Sequence, residues 1–319
     1  MGERGAGVIA IDCGATNLKA AVVNHQGVLL HRQWKPTEAH LGMPLVVKNL
    51  AGLVKELSEG YDIAAVALGI AGVINAHDGI ITQAPNFPGC IDFPIREELK
   101  QAFYPLNIPI LVENDANAYA LGEMWLGAGR EINSFICLTI GTGLGGGIIF
   151  NRELWRGEDG TAAEIGHMVI YPDGERCLCG NQGCLEAYVS AVALSRIARE
   201  AFEQRIETRL WELVGSKPEK VTPELLYQTA LQGDHFSRQI WAELGRVLGI
   251  GLSNLINIFN PEAIILGGGI AQAWSLFMPE AKKEVETRAL RLPTQRVKLL
   301  QATLGDEAAI LGAAYLALS

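Results

Sequence analysis

Three cysteines and one histidine lie close together near the middle of the chain, and no other feature of the sequence restricts its fold as strongly. Cys177, Cys179 and Cys184 occupy one short glycine-rich segment, and His167 lies just upstream. Thiolates and an imidazole are ligands that Zn²⁺ prefers, and a closed set of three Cys and one His is typical of structural sites. Glycines permit the sharp chain reversals that aim several sulfurs at one point. The segment therefore predicts a metal-binding loop.

Two other interpretations of these cysteines stay open at this point. Two of the three could form a disulfide beside a spare thiol, or all three could be small buried residues. The remaining cysteines, Cys13, Cys90 and Cys137, are scattered and do not resemble a disulfide framework. Carboxylates flank the loop at Glu164 and Glu186, so candidate chemistry lies next to the predicted metal.

The composition is typical of a folded protein that needs neither nucleic acid nor a membrane. A length of 319 residues favours two lobes over one compact domain. The chain is 49% hydrophobic and 19% charged, which predicts an ample core. The net charge of −9 argues against obligatory nucleic-acid binding, because phosphate backbones attract clustered Lys and Arg. No apolar run reaches the ~20 residues of a membrane-spanning helix. We expect a soluble, cytoplasmic protein.

Two segments, residues 8–30 and 134–155, share the pattern of a strand, a glycine-containing turn and a second strand. Glycine lets backbone approach a ligand, threonine offers a hydroxyl, and aspartate offers a carboxylate for hydrated Mg²⁺. The same residue types also populate ordinary turns. The turn residues of interest are Asp12, Gly14, Thr16, Thr142 and Gly143. Their recurrence suggests a duplicated architecture with one nucleotide held between two lobes.

The second of these turns also satisfies Gly-x-Gly-x-x-Gly, the pattern of dinucleotide-binding proteins. That pattern requires a helix directly after the glycines. The sequence instead continues with IIFNRELW, which is rich in β-branched and aromatic residues. We therefore predict a strand there and reject a Rossmann-type site. The Walker A pattern is absent from the sequence as well.

Most of the remaining chain alternates between helical periodicity and buried strands, which is typical of an α/β protein. A helix is predicted over residues 43–59, and a buried strand follows over 63–74. Residues 81–94 are rich in Pro, Gly and Asn, so we expect a loop without regular elements. The chain is predicted to be strongly helical from about Leu185 to Asn260, and residues 305–319 form an Ala-rich helix.

A group of polar residues follows the apolar strand predicted at residues 109–112. Glu113, Asn114 and Asp115 come at its carboxyl end, where a helix begins. Ligands of open α/β sheets bind at the carboxyl ends of strands, so Asp115 is a catalytic candidate. The alternative is that Asn114 or Asp115 merely caps the helix. A glycine triplet at 267–269 follows another buried strand and either lies against a nucleotide or forms a plain turn.

These motifs, in this order, resemble the ROK family of sugar kinases and related repressors over nearly the whole chain. The motifs that carry the resemblance are the turn at 12–16, VENDANAYALGE at 112–123, GTGLGGG at 141–147, EIGH at 164–167, CLCGNQGCLE at 177–186 and LGGGI at 266–270. Within the family, the segment that begins at Glu113 and the EIGHM segment look most like bacterial glucokinases.

The resemblance implies an α/β fold of two actin-like, ribonuclease-H-like lobes, with ATP and sugar in the cleft between them. The small lobe would comprise residues 1–120, with the C-terminal helix 306–319 packed back on it. The large lobe would comprise residues 121–305 and include the zinc-binding loop. The resemblance also implies ATP, Mg²⁺ and structural Zn²⁺ as cofactors and favours a homodimer.

The resemblance assigns roles to individual residues. Asp115 would be the catalytic base. Positions that match sugar contacts are Asn86, Asn114, Asp115, Glu164, His167 and Glu186. Positions that match nucleotide contacts are Asp12, Gly14, Thr16, Thr142, Gly143, Gly267, Gly268 and Gly269. The zinc ligands would be His167, Cys177, Cys179 and Cys184, a saturated shell whose role is to orient His167 and anchor the loop.

The function implied is transfer of the γ-phosphate of ATP to the 6-hydroxyl of glucose. A kinase for mannose, fructose, allose or N-acetylmannosamine stays open, since small changes of pocket geometry separate these sugars. Polyphosphate and ADP stay open as phosphoryl donors. A sugar-responsive repressor is a further alternative, but such relatives carry a helix-turn-helix domain before the kinase-like fold. Here the first apolar strand begins near Val8, which favours the enzyme.

Overall fold

A computed structural model describes residues 5–319 of the chain. The strands are β1 (Gly5–Cys13), β2 (Asn17–Val23), β3 (Leu29–Pro36), β4 (Tyr61–Ile70), β5 (Val73–Asn75), β6 (Ile80–Gln83), β7 (Ile91–Phe93), β8 (Ile110–Asn114), β9 (Phe135–Ile140), β10 (Leu144–Phe150), β11 (Glu153–Leu154), β12 (Ala263–Gly267) and β13 (Lys298–Gln301). The α-helices are α1 (Met43–Ser58), α2 (Ile95–Phe103), α3 (Asp115–Trp125), α4 (Ala191–Glu203), α5 (Leu210–Val214), α6 (Pro223–Leu231), α7 (His235–Phe259), α8 (Trp274–Arg288), α9 (Arg291–Arg296) and α10 (Ala308–Leu318).

The strands form three sheets, with orders β3-β2-β1-β4-β8, β11-β10-β9-β12-β13 and β5-β6-β7. In the first sheet β2 pairs antiparallel with β1 and β3, whereas β1, β4 and β8 run parallel. Ile70 of β4 pairs with Cys13 on one side and with Asn114 on the other. The carboxyl ends of β1 and β8 therefore meet at the same edge of the sheet.

Strand β1 of the first sheet is buried on both faces, and its alternate side chains point into two different cores. Ile9 and Ile11 of β1 belong to a core that includes Leu50 of α1. Val8 and Ala10 belong to a separate core that includes residues of α10. This arrangement explains why β1 reads as a continuous apolar run rather than as an alternating one.

By its internal contacts the chain divides into two compact units. Unit 1 comprises Met1–Cys137, Gly146–Ala163 and Ala302–Ser319, and unit 2 comprises Leu138–Gly145 and Glu164–Gln301. The small lobe that the resemblance implies, residues 1–120 with 306–319, lies within unit 1. The whole of α3 belongs to this unit, where it packs closely along α10.

Glycines make the close approach of α3 and α10 possible. A Cβ atom added at Gly312 would lie 1.6 Å from the carbonyl oxygen of Ala118, and one added at Gly122 would lie 2.0 Å from that of Ala308. In unit 2, a Cβ at Gly245 of α7 would similarly lie 2.0 Å from the carbonyl oxygen of Phe277 in α8. Close helix packing therefore explains this glycine in α7, where glycine has a cost in helix propensity.

The sequence prediction was wrong for residues 81–94, which are not an irregular loop. β6 and β7 flank a short connection and join β5 in the three-stranded sheet. Ile81 pairs with Phe93, and Ile81 is buried. The Pro and Gly residues that suggested a loop fall in the connection, at Pro85, Pro88 and Gly89. They leave room for one very short strand on each side of the connection.

The strand predicted after the second glycine turn is confirmed as β10, so the glycines there do not open a helix. The helical region predicted from about 185 to 260 is confirmed as α4 to α7. The N-cap of α7 is Asp234, whose side chain accepts a hydrogen bond from the amide of Ser237, and its C-cap is Asn260, in the left-handed conformation. Within residues 5–319, no helix combines the length and the apolarity that a bilayer crossing requires.

Candidate catalytic residues and metal centre

Two aspartates lie at the sheet edge where β1 and β8 end in unit 1. Asp12 is near the end of β1, and Asp115 begins α3 directly after β8. Burial, together with the nearby negative charge of Asp115 and despite the opposing charge of Lys19, raises the pKa of Asp12 to about 7. Burial also raises the pKa of Asp115 above its ordinary value. Carboxylates with perturbed proton affinity are common at catalytic sites.

Asn114 is the N-cap of α3. Its Oδ1 accepts hydrogen bonds from the amides of Ala116 at 2.9 Å and Asn117 at 3.0 Å. Its Nδ2 donates to the carbonyl oxygen of Gly72 at 2.9 Å and to Oδ1 of Asp115 at 3.2 Å. The capping interpretation is therefore confirmed for Asn114 and not for Asp115. The cap itself holds the carboxylate of Asp115 in place.

Glu113 lies behind this turn and is only 1% exposed. Its Oε1 accepts hydrogen bonds from the amide of Asn114 and from Nδ2 of Asn117, both at 3.0 Å. Its Oε2 accepts one from Nε of Arg156 at 2.7 Å. The sequence reasoning placed Glu113 at the strand end without assigning it a role, and it missed Arg156. The only usable signal was a charged residue at the end of an otherwise apolar strand.

The turn between β1 and β2 carries Gly14 and Thr16. The amide of Gly14 donates to the carbonyl oxygen of Asn17 at 3.1 Å. Thr37, which is buried, donates its hydroxyl to the carbonyl oxygen of Gly14 at 2.7 Å and its amide to that of Thr16 at 2.8 Å. The backbone of this turn is therefore held firmly from one side. Asn86 is exposed in the connection between β6 and β7.

The four predicted metal ligands of unit 2 come together. One donor atom from each of His167, Cys177, Cys179 and Cys184 lies within 4.8 Å of the others. The sulfurs of Cys179 and Cys184 are 3.8 Å apart, and the sulfur of Cys177 is 3.7 Å from Nδ1 of His167. Two thiolates each ~2.3 Å from a tetrahedral zinc lie about 3.8 Å apart. The donor set and its spacing therefore fit Zn²⁺.

All six cysteines are free, which rules against a disulfide within the cluster. Burial is the main cause that raises the pKa of Cys177 to about 12, and it also raises the pKa of Cys184. A cation that binds here must therefore displace protons, which couples metal binding to pH. The loop is tightly folded, because a Cβ at Gly183 would lie 1.6 Å from the carbonyl oxygen of Tyr171.

The ring of His167 connects the cluster to Glu164. Its Nδ1 faces the sulfur of Cys177. Its other nitrogen, Nε2, is 3.9 Å from Oε2 of Glu164. A metal ion bound at Nδ1 would fix the plane of the imidazole and leave Nε2 to bind another partner. The orientation predicted for this histidine is therefore compatible with the structure.

Glu186 connects the cluster to the turn between β9 and β10. Its Oε2 accepts a hydrogen bond from the amide of Leu144 at 2.8 Å, and its Oε1 lies 3.8 Å from the sulfur of Cys177. A Cβ at Gly143 would lie 2.3 Å from Oε2, so a larger residue there would require this carboxylate to move. Thr142, at the tip of the turn, is exposed. The metal loop and the predicted phosphate turn are thus joined through one side chain.

The glycine triplet divides into residues with different surroundings. Gly267 ends β12 and is buried. Gly268 has a φ of +84°, and a Cβ there would lie 2.4 Å from the carbonyl oxygen of Ile140 in β9. Gly269 is exposed, and no described atom lies within 4 Å of where its Cβ would stand. Close contact with β9 thus explains why position 268 is a glycine. The backbone is open to solvent at Gly269.

Within each unit, part of the predicted set comes together. In unit 1 this is the group Asp12, Asn114 and Asp115, and in unit 2 it is the four metal ligands with Glu164 and Glu186 on either side.

The chain is similar to known proteins over nearly its whole length. The sequence profile of the ROK family matches residues 8–319. The chain is 35% identical over 307 residues to a glucokinase of Thermotoga maritima, covering 96% of both chains. It is 31% identical over 319 residues to a xylose repressor of Caldicellulosiruptor bescii, covering 98% of this chain and 78% of the repressor. It superposes with a TM-score of 0.84 and 34% identity on a ROK family glucokinase from Streptomyces griseus, solved with glucose and AMPPNP, covering 97% and 98% of the two chains.

Proposed function

This chain belongs to the ROK family, and on that premise we propose that it is an ATP-dependent hexokinase that phosphorylates glucose at its 6-hydroxyl. The observation that carries the proposal is the partly buried carboxylate of Asp115, held by Asn114 at the sheet edge beside Asp12. Similarity to two glucokinases, one of them solved with glucose and an ATP analogue, supports the choice of sugar and donor.

Asp115 would act as general base. A primary hydroxyl is a poor nucleophile, and Asp115 would accept its proton as the oxygen bonds to the γ-phosphorus and ADP leaves. Such assistance typically contributes ~10²–10⁴ in rate. The raised pKa of Asp115 makes the carboxylate a stronger base than an exposed aspartate. Positioning and charge neutralisation would supply most of the remaining acceleration.

The sugar would be bound by side chains that pair with its hydroxyls. We assign this role to Asn86, Asn114, Glu164, His167 and Glu186, with Asp115 at the reacting hydroxyl. Nε2 of His167, next to Glu164, is suited to a hydroxyl that both donates and accepts. Each buried hydroxyl left without a partner would cost ~1–3 kcal/mol, so this set would decide which hexose is preferred.

The nucleotide would be bound mainly by backbone amides. We assign the phosphates to Gly14, Thr16, Thr142 and Gly143, hydrated Mg²⁺ to Asp12, and the nucleoside to Gly267, Gly268 and Gly269. A cation next to Asp12 would favour its ionised form and so lower its pKa. The zinc held by His167, Cys177, Cys179 and Cys184 would supply fixed geometry, since four protein ligands fill a tetrahedral shell.

An assay for sugar phosphate, the product that every donor gives, tests the proposal. The substrates are glucose, mannose, fructose, allose and N-acetylmannosamine, each with ATP, polyphosphate or ADP as donor. We expect glucose with ATP to give the highest kcat/KM, by at least about tenfold. Absence of turnover with every sugar, in a protein that is folded by circular dichroism, would refute the kinase assignment.

The similarity to a xylose repressor gives a second candidate function. A gel-shift assay with sugar-responsive promoter DNA separates the two, and we expect no DNA binding. As a kinase that uses ATP, the protein would act in the cytoplasm. We also propose that it forms a homodimer, which light scattering would detect as twice the chain mass of 34.4 kDa.

A further inference from the structure

Glu113 is a buried charge to which the proposed reaction assigns no role. A carboxylate that is 1% exposed is unfavourable unless ion pairing and hydrogen bonds compensate its lost hydration. Glu113 has both, because it accepts from Arg156 and from two groups at the start of α3, the amide of Asn114 and Nδ2 of Asn117. The carboxylate therefore links the loop that contains Arg156 to the turn that carries Asp115.

Arg156 also closes the loop that follows it. Its carbonyl oxygen accepts a hydrogen bond from the amide of Ala162 at 3.1 Å. Inside the loop, Oδ1 of Asp159 accepts from the amide of Thr161 at 3.2 Å and from its hydroxyl at 2.7 Å. Residues 156–162 therefore form a compact segment with its own hydrogen bonds. The chain continues from it directly into Glu164, one of the proposed sugar-binding residues.

Local backbone strain shows that this segment is held in place. Ala163, the residue between the loop and Glu164, has a φ of +69°. Alanine disfavours the left-handed region, so the surroundings must impose that conformation. Gly160 packs against the end of β5, because its Cβ would lie 3.3 Å from the carbonyl oxygen of Ile74 and 3.2 Å from the amide nitrogen of Ala76, the residue after the strand. The ion pair of Glu113 with Arg156 adds an attachment to the first turn of α3.

We propose that Glu113 and Arg156 are a positioning pair for the proposed phosphoryl transfer. Glu113 fixes the first turn of α3 and with it Asp115, while Arg156 anchors the loop that leads to Glu164. Neither side chain needs to touch the substrate. The inference rests on the proposed function for the reaction, but the anchoring itself is a property of the chain alone.

The experiment compares four variants: Arg156→Gln, Arg156→Lys, Glu113→Gln and the double variant Glu113→Gln/Arg156→Gln. The double variant has no unpaired buried charge, so it separates loss of positioning from loss of folding. The matched control is Arg288→Gln, which breaks the pair between the exposed Arg288 and the partly buried Glu284 on α8, in unit 2. For each protein, kcat, both KM values, the thermal midpoint and hydrogen exchange of the loop are measured.

Misplaced catalytic groups typically cost up to about 10²-fold in rate. We therefore expect Arg156→Gln to lower kcat roughly 10–100-fold and raise the sugar KM, with the ATP KM within about twofold of wild type. Arg156→Lys should restore part of kcat because it keeps the charge. The double variant should lose no more than the worse single variant, since the two residues act as one unit. Arg288→Gln should match wild type.

Hydrogen exchange distinguishes failure of this inference from failure of the proposed function. We expect faster exchange of the Ala162 amide in Arg156→Gln than in wild type, whichever substrate the protein uses. If wild type shows no kinase activity but Arg156→Gln still exchanges the Ala162 amide faster, the proposed function is refuted and the anchoring is supported. Unchanged exchange in Arg156→Gln, or a folded double variant with wild-type kcat, would overturn the positioning role.

Discussion

The side-chain amide of Asn114 donates a hydrogen bond to Oδ1 of Asp115 across 3.2 Å. The same side chain caps α3 through its own oxygen, so one residue both starts the helix and orients the proposed base. The carboxylate of Asp115 is therefore held by a short neighbouring side chain that is itself fixed to the first turn of the helix.

Replacing Asp115 with Asn should remove turnover while leaving folding and sugar binding largely intact. The amide has the same shape and still accepts a hydrogen bond, but it cannot take up a proton as a base. We expect kcat to fall by ~10²–10⁴ and the dissociation constant for glucose, measured by calorimetry, to change only a few-fold. Asp62→Asn, at an exposed position on β4, serves as the control. A variant with near-normal kcat would exclude Asp115 as the base.

Asp12 should make the stability of the ligand-free protein depend on pH. Its pKa is 3.8 when unperturbed and about 7 in the folded protein, so the folded state binds the proton more tightly. This contribution is complete below about pH 4 and is lost as the pH rises through 7. Asp12→Asn should remove this dependence and raise stability at pH 8, by on the order of 2–4 kcal/mol.

Urea denaturation of wild type and Asp12→Asn at several pH values from 4 to 8 measures this effect. The curves should converge at low pH and separate as Asp12 ionises. Mg²⁺ with nucleotide should reduce the difference, because a bound cation stabilises the ionised carboxylate. Parallel pH profiles for the two proteins would show that Asp12 is not the group responsible.

Cys179→Ala should release the metal and weaken sugar binding. Loss of one of four ligands opens the shell, and loss of a fixed geometry typically costs 10–100-fold in affinity or activity. We expect zinc content, measured by plasma emission spectroscopy, to fall from about one per chain, with a lower thermal midpoint and a sugar KM raised about tenfold. Cys90→Ala, at another buried cysteine outside the cluster, should retain its zinc. Stoichiometric zinc and an unchanged KM in Cys179→Ala would contradict the proposed role.

Gly312→Ala should destabilise unit 1. Its Cβ would lie 1.6 Å from the carbonyl oxygen of Ala118, so α3 and α10 would have to separate. Overpacking of this kind costs at least ~1–3 kcal/mol in the free energy of unfolding, measured by urea denaturation. Gly52→Ala in α1 is the matched control, because nothing lies within 4 Å of its Cβ. That change should stabilise the protein by ~0.5–1 kcal/mol, and equal effects at both positions would refute the packing argument.

Features encoded by neighbouring residues were predictable from the sequence. The metal ligands fall within residues 167–184, so their clustering could be read from spacing and glycine content, and the structure confirms it. The α/β fold with its two glycine turns followed from strand and turn signals, and family membership and fold are confirmed. The strand after the second turn was correctly distinguished from a helix by its β-branched residues.

Features that depend on distant residues were not predictable. Arg156 reaches Glu113 across 43 positions of sequence, and Leu144 reaches Glu186 across 42. No local pattern marks such pairs, because only the folded chain brings them together. The strands β6 and β7 were missed for a different reason, since Pro and Gly in a tight connection also obscure very short strands beside them.

The burial of Glu123 has a consequence for how the protein is made. This carboxylate, at the end of α3, accepts hydrogen bonds from the amides of Thr303 and Leu304, and the α10 that follows packs along α3. Unit 1 therefore cannot complete its core while the ribosome still holds residues 302–319. Its earlier strands must wait for nearly the whole of unit 2 to be synthesised, so a nascent chain stalled after residue 300 would leave the face of β1 and β4 that α10 covers open to chaperones.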